Sequence, residues 1–252
     1  MIISPDNSGM RILLPVLLAA CSATTLAAPL VAVDVGHGLA DSGAISARGR
    51  PEFAFNRDFA GVLAGVLRDK ALAVREVNFD GRIASLAARP QAAAGSDFFL
   101  SVHHDSIGQQ WLKDWAWQGT PQTYTEVKRG FGLFVSLQNP GLATSLRCAS
   151  TIGALLRRAG FVPSDWHARK HQPADAENGV WYYDNLVVLY RTSLPAVLFE
   201  AGVIKHRDEE LELLDPARQA RMADAVATGI AACLYVGAAE AVSRSTGNSG
   251  QD

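Results

Sequence analysis

Two patterns of apolar residues divide the chain into predicted strands and helices. Short apolar runs without helical spacing, such as 31–35, are typical of strands buried on both faces of a sheet. Stretches with apolar residues three or four positions apart are typical of helices that pack one face on a sheet. The predicted strands cover 31–35, 72–77, 97–105, 132–137, 186–190 and 195–202. The predicted helices start at 51, 82, 143 and 216. This alternation indicates an α/β domain with a mostly parallel sheet.

The two ends of the chain differ from the middle. The apolar run 12–20 follows a short basic lead and resembles the core of a signal peptide, because it is too short to span a bilayer. Thr25-Leu-Ala27 suits ordinary signal peptidase, whereas Leu18-Ala-Ala-Cys21 resembles a bacterial lipobox in which Cys21 becomes lipidated. Both interpretations stay open, and both predict an exported protein. We predict a leader over 1–28, one folded domain over 29–236 and a disordered tail over 237–252.

Composition and charge narrow the classes of function. The chain has 252 residues, 48% of them hydrophobic, which suits a single domain with a full core. A net charge of -2 gives no electrostatic case for binding nucleic acid or an anionic membrane surface. Only Cys148 and Cys233 remain after the predicted leader. An oxidising compartment permits a disulfide between them, but we predict two buried free thiols.

Metal-capable residues stand where three predicted strands end. His37 lies between two glycines after the first strand, His103 ends the third, and Glu200 lies in the last. Parallel strands place these ends at one edge of the sheet, where ligands bind in open α/β folds. Glu52 opens the helix that follows His37. Each motif alone has a plainer explanation, such as a turn histidine or a carboxylate that favours a helix N-terminus.

Together these residues predict a hydrolytic metal centre. Two imidazoles and one carboxylate form a catalytic zinc shell with one open position. A second carboxylate outside the shell, Glu200, then acts as general acid and base. His103 and His104 point to opposite faces of a regular strand, so only one of them is a ligand and the other supports it.

Two further segments receive weaker predictions. His167 and His171 have a spacing that suits a metal pair on a helix, but the surrounding proline and glycine residues argue for a loop. We therefore predict solvent-exposed loop histidines without a metal. Segment 106–140 is rich in aromatic residues and is either core beneath a long loop or a surface that grips sugar or peptide. We favour partial packing with one or two exposed rings.

The motifs resemble those of the zinc-dependent N-acetylmuramoyl-L-alanine amidases of the amidase-3 type. The resemblance is carried by 33–44 (VDVGHGLADSGA), by Glu52 at the helix start, by 99–103 (FLSVH) and by 198–203 (LFEAGV). It implies a single α/β domain with a mixed, mainly parallel sheet flanked by helices on both faces. It also implies one zinc ion held by His37, Glu52 and His103, and Glu200 as the catalytic acid and base.

The resemblance further implies a substrate and a location. The substrate is peptidoglycan, cut at the amide between N-acetylmuramic acid and the L-alanine of the stem peptide. We expect an exported, periplasmic protein with possible membrane anchoring through a lipidated Cys21, and its regulator is unknown. Another zinc-dependent peptidase or amide hydrolase, or a non-catalytic peptidoglycan-binding domain, remains the alternative.

Two features depart from the family pattern. Leu39 stands where the family often has a second glycine, which predicts a bulkier first loop. Segment 106–140 is longer and more aromatic than in a minimal member. Some relatives carry a blocking helix after the third ligand, but no clear amphipathic helix is predicted here.

Overall fold

The structure is a computed structural model that describes residues 27–167 and 170–247, without the side chains of 236–247. The predicted leader up to residue 26, with Cys21, and the last five residues of the predicted tail lie outside the described residues. In the described part of the chain, no helix is both long enough and apolar enough to cross a membrane.

Seven of the described strands form one mixed sheet, and two more form a separate hairpin. The strands are β1 (Leu30–Val35), β2 (Ala73–Val77), β3 (Phe98–Asp105), β4 (Lys113–Trp117), β5 (Thr120–Tyr124), β6 (Gly132–Val135), β7 (Gln172–Asp175), β8 (Val180–Tyr182) and β9 (Ala196–Val203). The sheet order is β2-β1-β3-β9-β6-β8-β7, with β4 and β5 as the hairpin. The neighbouring pairs β2–β1, β1–β3 and β3–β9 are parallel, whereas β9–β6 and β8–β7 are antiparallel. The predicted mixed, mainly parallel sheet is confirmed.

Helices cover both faces of the sheet, as predicted, but to unequal depth. They are α1 (Glu52–Asp69), α2 (Ala88–Ala92), α3 (Leu142–Arg158), α4 (Val187–Tyr190), α5 (Glu209–Leu213) and α6 (Pro216–Gly247). The large core combines α1, α3 and α6 with one face of the central strands, including Val33, Leu100 and Phe199. A smaller core beside α2 and α4 covers the other face at Phe99 and Leu198.

Three local predictions are wrong, each for a physical reason. The helix predicted to start at 82 starts at Ala88 instead, as α2, and includes Pro90 in its first turn, where a missing N–H costs no hydrogen bond. Segment 186–190 forms the short α4 instead of a strand, because a run this short does not distinguish helical spacing from the alternation of a strand. Residues 237–247 continue α6 rather than being disordered, consistent with the high helix propensity of alanine and glutamate.

A disulfide joins Cys148 of α3 to Cys233 of α6. The prediction of two free thiols is therefore wrong. Both residues lie on buried helix faces that pack against each other in the large core, and no local sequence pattern indicates that proximity. The bond crosses 85 residues of chain. It thus ties together the two helices that back the central strands.

Candidate metal centre

The turn after β1 brings two backbones and one imidazole very close together. The Gly36 N–H donates to the carbonyl of Val102 at 2.9 Å, which continues the sheet beyond β1. A Cβ on Gly36 would lie 2.3 Å from His103 Nε2, so only glycine leaves room for that ring. The left-handed conformation falls on His37 itself, with φ of 62°, and not on its glycine neighbours.

Two buried side chains hold His37 in this unusual conformation. Asn78 Nδ2 donates to the carbonyl oxygens of His37 at 2.6 Å and Val35 at 2.7 Å. The Arg89 guanidinium donates to the same two carbonyls. Arg89 also lies 3.7 Å from the buried Asp34 carboxylate, which offsets the cost of burying its charge. Neither Asn78 nor Arg89 was predicted, because nothing in the local sequence marks them as partners of the His37 turn.

The first turn of α1 places Glu52 opposite His37. The Glu52 N–H donates to Ala44 O at 2.8 Å, and the Ala44 N–H donates back to Glu52 Oε2 at 3.1 Å. A Cβ on Gly43 would lie 2.6 Å from Glu52 Oε2 and 2.7 Å from His37 Cδ2. The loop before α1 therefore closes around the carboxylate. Leu39 is 68% exposed, so its bulk adds to the surface of this loop.

The structure brings His37, Glu52 and His103 together, as predicted. Glu52 Oε1 lies 3.2 Å from His37 Nε2 and 3.1 Å from His103 Nδ1. The three ligand atoms lie within 4.8 Å of one another, and no other set of this kind occurs in the described part of the chain. Two imidazole nitrogens and a carboxylate oxygen at one point fit a catalytic metal shell with an open position. The Asp41 carboxylate, 3.9 Å from His37 Nδ1, lies on the far side of that ring.

His104 supports this site from the other face of β3, so the pair of histidines divides as the strand alternation predicts. It packs between the rings of Phe55 and Phe59. His104 Nδ1 lies 2.8 Å from Asn56 Oδ1, and Asn56 Nδ2 donates to Glu52 Oε1 at 3.2 Å. Asn56 was missed, although its spacing of four from Glu52 puts both on one helix face.

The electrostatics of the three residues are tightly linked. Burial opposes ionisation of Glu52, but hydrogen bonds with His103 and His37 hold the pKa of its carboxyl well below its usual range. Burial also opposes protonation of His37, yet the adjacent Glu52 carboxylate raises the pKa of this imidazole. Burial lowers the pKa of His104 to about 3, so that ring is neutral.

Glu200 lies beside the triad of candidate ligands, His37, Glu52 and His103, and is not part of it. It is the direct register partner of His103 in β9, on the same face of the sheet. Its Oε2 is buried and has no hydrogen-bond partner among the described residues. Burial, then the charges of Asp105 and Glu52, raise the pKa of this carboxyl well above its usual value. Glu200 is thus a buried carboxyl with a raised pKa next to the three candidate metal ligands.

Of the two remaining candidate segments, the one with His167 differs from prediction, whereas segment 106–140 agrees with it in part. His167 is buried, not exposed, and its Nε2 lies 3.1 Å from Asp105 Oδ2. Segment 106–140, all of it described, contains the β4–β5 hairpin and no α-helix. The rings of Trp111, Trp115, Trp117 and Tyr124 are each partly buried, which fits partial packing. Trp115 stacks on Trp117 and donates to Ala47 O at 2.9 Å.

Comparison with solved structures finds the same fold in bacterial amidases. An N-acetylmuramoyl-L-alanine amidase from Clostridium difficile 630 superposes with a TM-score of 0.66 at 21% identity, over 83% of this chain and 98% of that one. Ami1 from Mycobacterium smegmatis gives 0.67 at 19% identity, over 83% and 99%. The catalytic domain of CwlV from Bacillus (Paenibacillus) polymyxa var. colistinus gives 0.60 at 24% identity, over 82% and 99%.

Comparison with family models gives the identity. A comparison with curated proteins finds no match. The model of the N-acetylmuramoyl-L-alanine amidases of the amidase-3 type matches residues 31–232, which include the triad, Glu200 and all strands of the sheet after Leu30. Because this match covers far more than half of the chain, the protein belongs to the amidase-3 family and is an N-acetylmuramoyl-L-alanine amidase.

Proposed function

We propose that this amidase cuts the amide between N-acetylmuramic acid and L-alanine in peptidoglycan with one zinc ion held by His37, Glu52 and His103. The observation that carries the proposal is the position of Glu52 Oε1, 3.2 Å from one imidazole nitrogen and 3.1 Å from the other. Zinc suits two imidazoles and one carboxylate, and the set leaves room for substrate. A bound zinc ion would supply Lewis-acid chemistry that makes water a nucleophile near neutral pH.

Glu200 is the proposed general acid and base. During hydrolysis a water oxygen adds to the amide carbonyl carbon and the carbon–nitrogen bond breaks. The Glu200 carboxylate accepts the proton that the water gives up, and its carboxyl form then donates a proton to the leaving nitrogen of L-alanine. The buried, unpartnered Oε2 supports this role, because no protein hydrogen bond has to be broken before the carboxyl meets substrate.

The protein around the site positions these groups. Asn78 and Arg89 fix the His37 backbone, and Asn56 fixes the Glu52 carboxylate. Partners behind the ligands orient them, and losing one typically lowers metal affinity or activity about 10–100-fold. Glu52, whose pKa is lowered, and Glu200, whose pKa is raised, therefore divide their roles by environment, since the two side chains are chemically identical.

The test is a Glu200→Gln variant assayed for stem-peptide release from purified sacculi. We expect a fall in kcat of at least about a hundredfold, typical of losing a general acid or base, with the zinc content unchanged. Glu76→Gln, which alters an exposed glutamate paired with Arg68, is the matched control and keeps full activity. Undiminished release by the zinc-loaded Glu200→Gln variant would contradict the role of Glu200.

Muropeptide analysis separates the amidase from another zinc peptidase. The amidase releases whole stem peptides with a free L-alanine amino end, whereas a peptidase releases fragments that begin at later residues. Retained sacculus binding without any cleavage or metal would instead favour a non-catalytic peptidoglycan-binding domain.

The protein is proposed to act outside the cytoplasm, in the periplasm. The Cys148–Cys233 disulfide supports export, because such bonds persist mainly in oxidising compartments. Cleavage after Ala27 and lipidation of Cys21 give mature proteins with different N-termini. The intact mass of the protein isolated from the cell envelope distinguishes the two.

A further inference from the structure

A cavity of about 400 Å³ opens on the side of Glu200 that faces away from the metal ligands. Its lining includes Asp105, Phe134, Trp166, His167, Tyr183 and Glu200. A second cavity, of about 360 Å³, lies on the other side, at His37 and His103. The reacting groups therefore lie between two spaces, each large enough for part of a substrate.

His167 lies beside the candidate reacting residues on one face of the sheet. His103, Glu200 and Gly132 are register partners across β3, β9 and β6, so they share one face of the sheet. Gly132 has no side chain, and a Cβ there would lie 2.9 Å from His167 Nε2. The imidazole of His167 thus fills the position that a side chain of β6 would otherwise take beside Glu200.

The polar atoms of His167 are not satisfied by the protein. The residue is 3% exposed, and its Nε2 lies 3.1 Å from Asp105 Oδ2 at an angle that does not make a hydrogen bond. Nδ1 is buried and has no partner among the described residues. A buried nitrogen without a partner destabilises the fold, so such atoms usually mark a place for a ligand or water. The Asp105 carboxylate faces Nε2 at 3.1 Å, which leaves Nδ1 as the nitrogen available to that partner.

The proposed reaction decides which part of the substrate enters this cavity. Glu200 must lie within hydrogen-bond reach of the leaving nitrogen, which belongs to the stem peptide. The peptide therefore begins at Glu200 and continues into the cavity that contains His167. The muramic acid side then faces the cavity at His37. This step rests on the proposed function and on the role given to Glu200.

We propose that His167, whose Nε2 faces Asp105, is a substrate-binding residue that accepts a hydrogen bond through Nδ1 from an N–H of the stem peptide. It contacts the leaving portion of the substrate and is distinct from the metal ligands and from Glu200. Gly132 is the position that makes room for it.

The test compares zinc-loaded His167→Gln and Gly132→Ala with the wild-type protein. Steady-state kinetics use a soluble N-acetylmuramoyl tripeptide, and calorimetry measures binding of the free tripeptide and of N-acetylmuramic acid. We expect His167→Gln to raise KM and to weaken tripeptide binding about tenfold, the value of one lost hydrogen bond, with unchanged zinc content. Gly132→Ala, which displaces the ring, shifts both in the same direction by a smaller factor. Binding of N-acetylmuramic acid stays unchanged.

His206→Gln is the matched control. His206 is also a buried histidine, but its Nδ1 accepts the backbone N–H groups of Asp208 and Glu209, away from both cavities. We expect it to leave KM and tripeptide binding unchanged. Wild-type KM and tripeptide affinity in both His167→Gln and Gly132→Ala would overturn the proposal, and Gly132→Ala decides alone if His167→Gln does not fold. Failure of the wild-type protein to release stem peptides would instead contradict the proposed function.

Discussion

Two polar regions lie side by side at the carboxyl edge of the sheet, and they treat their carboxylates in opposite ways. In the metal region, Glu52 is held by Ala44, Asn56 and both candidate ligand histidines. In the neighbouring cavity, Glu200 Oε2, Asp105 Oδ2 and His167 Nδ1 have no hydrogen-bond partner among the described residues. The first region is organised before anything binds, whereas the second leaves its polar atoms for substrate.

The difference shows how glutamate serves two functions in neighbouring regions. The surrounding imidazoles lower the pKa of the Glu52 carboxyl, whereas burial and nearby negative charge raise that of Glu200. A carboxylate beside a cation site must stay charged to bind, and a proton carrier must accept and release a proton near neutral pH. Position relative to partners, and not residue type, therefore separates ligand from acid and base.

The largest expected effect comes from removing the charge in the metal region. Glu52→Gln should reduce bound zinc from about one ion per chain to near zero, because the amide cannot supply an anionic oxygen between the two imidazoles. Elemental analysis after gel filtration measures the loss. Glu209→Gln is the control, since Glu209 is equally buried but accepts the backbone N–H groups of Gly130 and Val203. A Glu52→Gln variant that retains zinc would contradict the role of Glu52 as a ligand, on which the comparison with Glu200 rests.

A smaller effect is expected from the side chain that holds Glu52. Asn56→Ala should weaken zinc binding by about 10–100-fold, the usual range for a partner behind a metal ligand. Competition with a chelator of known affinity gives the value. Asn139→Ala is the control, because Asn139 is also buried and donates to two carbonyls, those of Leu189 and Leu194. If both variants weaken zinc binding equally, the effect reflects stability and not the Asn56–Glu52 bond.

The smallest expected effect concerns the pH dependence of stability through His104. Burial lowers its pKa to about 3 in the folded protein, from about 6.5 when exposed. The unfolded chain therefore binds a proton that the folded protein rejects, so stability falls as the pH drops from 6.5 towards 3. Between pH 6.5 and 5 this contribution is about 2 kcal/mol. Urea unfolding of zinc-free wild type and His104→Gln at pH 7 and 5 should show a steeper loss in the wild type; parallel losses would contradict it.

The sequence predicted the sheet and the metal region better than the cavity. His37, Glu52, His103 and Glu200 belong to strand ends or a helix start, whose positions follow from short-range patterns. The cavity depends on long-range packing. The burial of His167 against Gly132 and Asp105 joins a loop to two strands, and no local pattern shows this contact.

The same distinction explains the smaller errors. The Cys148–Cys233 bond and the anchoring of His37 by Arg89 link residues far apart in sequence, and a periodicity describes only neighbours. The short α4 and the position of α2 were misassigned because four or five residues contain too little periodic information.

Metal analysis of the protein purified from the cell envelope tests the central claim most directly. Native mass spectrometry and elemental analysis should find one zinc ion per chain in the wild type and one in Glu200→Gln, with stem-peptide release only in the wild type. This result would assign metal binding to the region around Glu52 and proton transfer to Glu200 in the neighbouring cavity. A wild-type protein that releases stem peptides at full rate without bound zinc, or a Glu200→Gln variant that loses its zinc, would contradict the account.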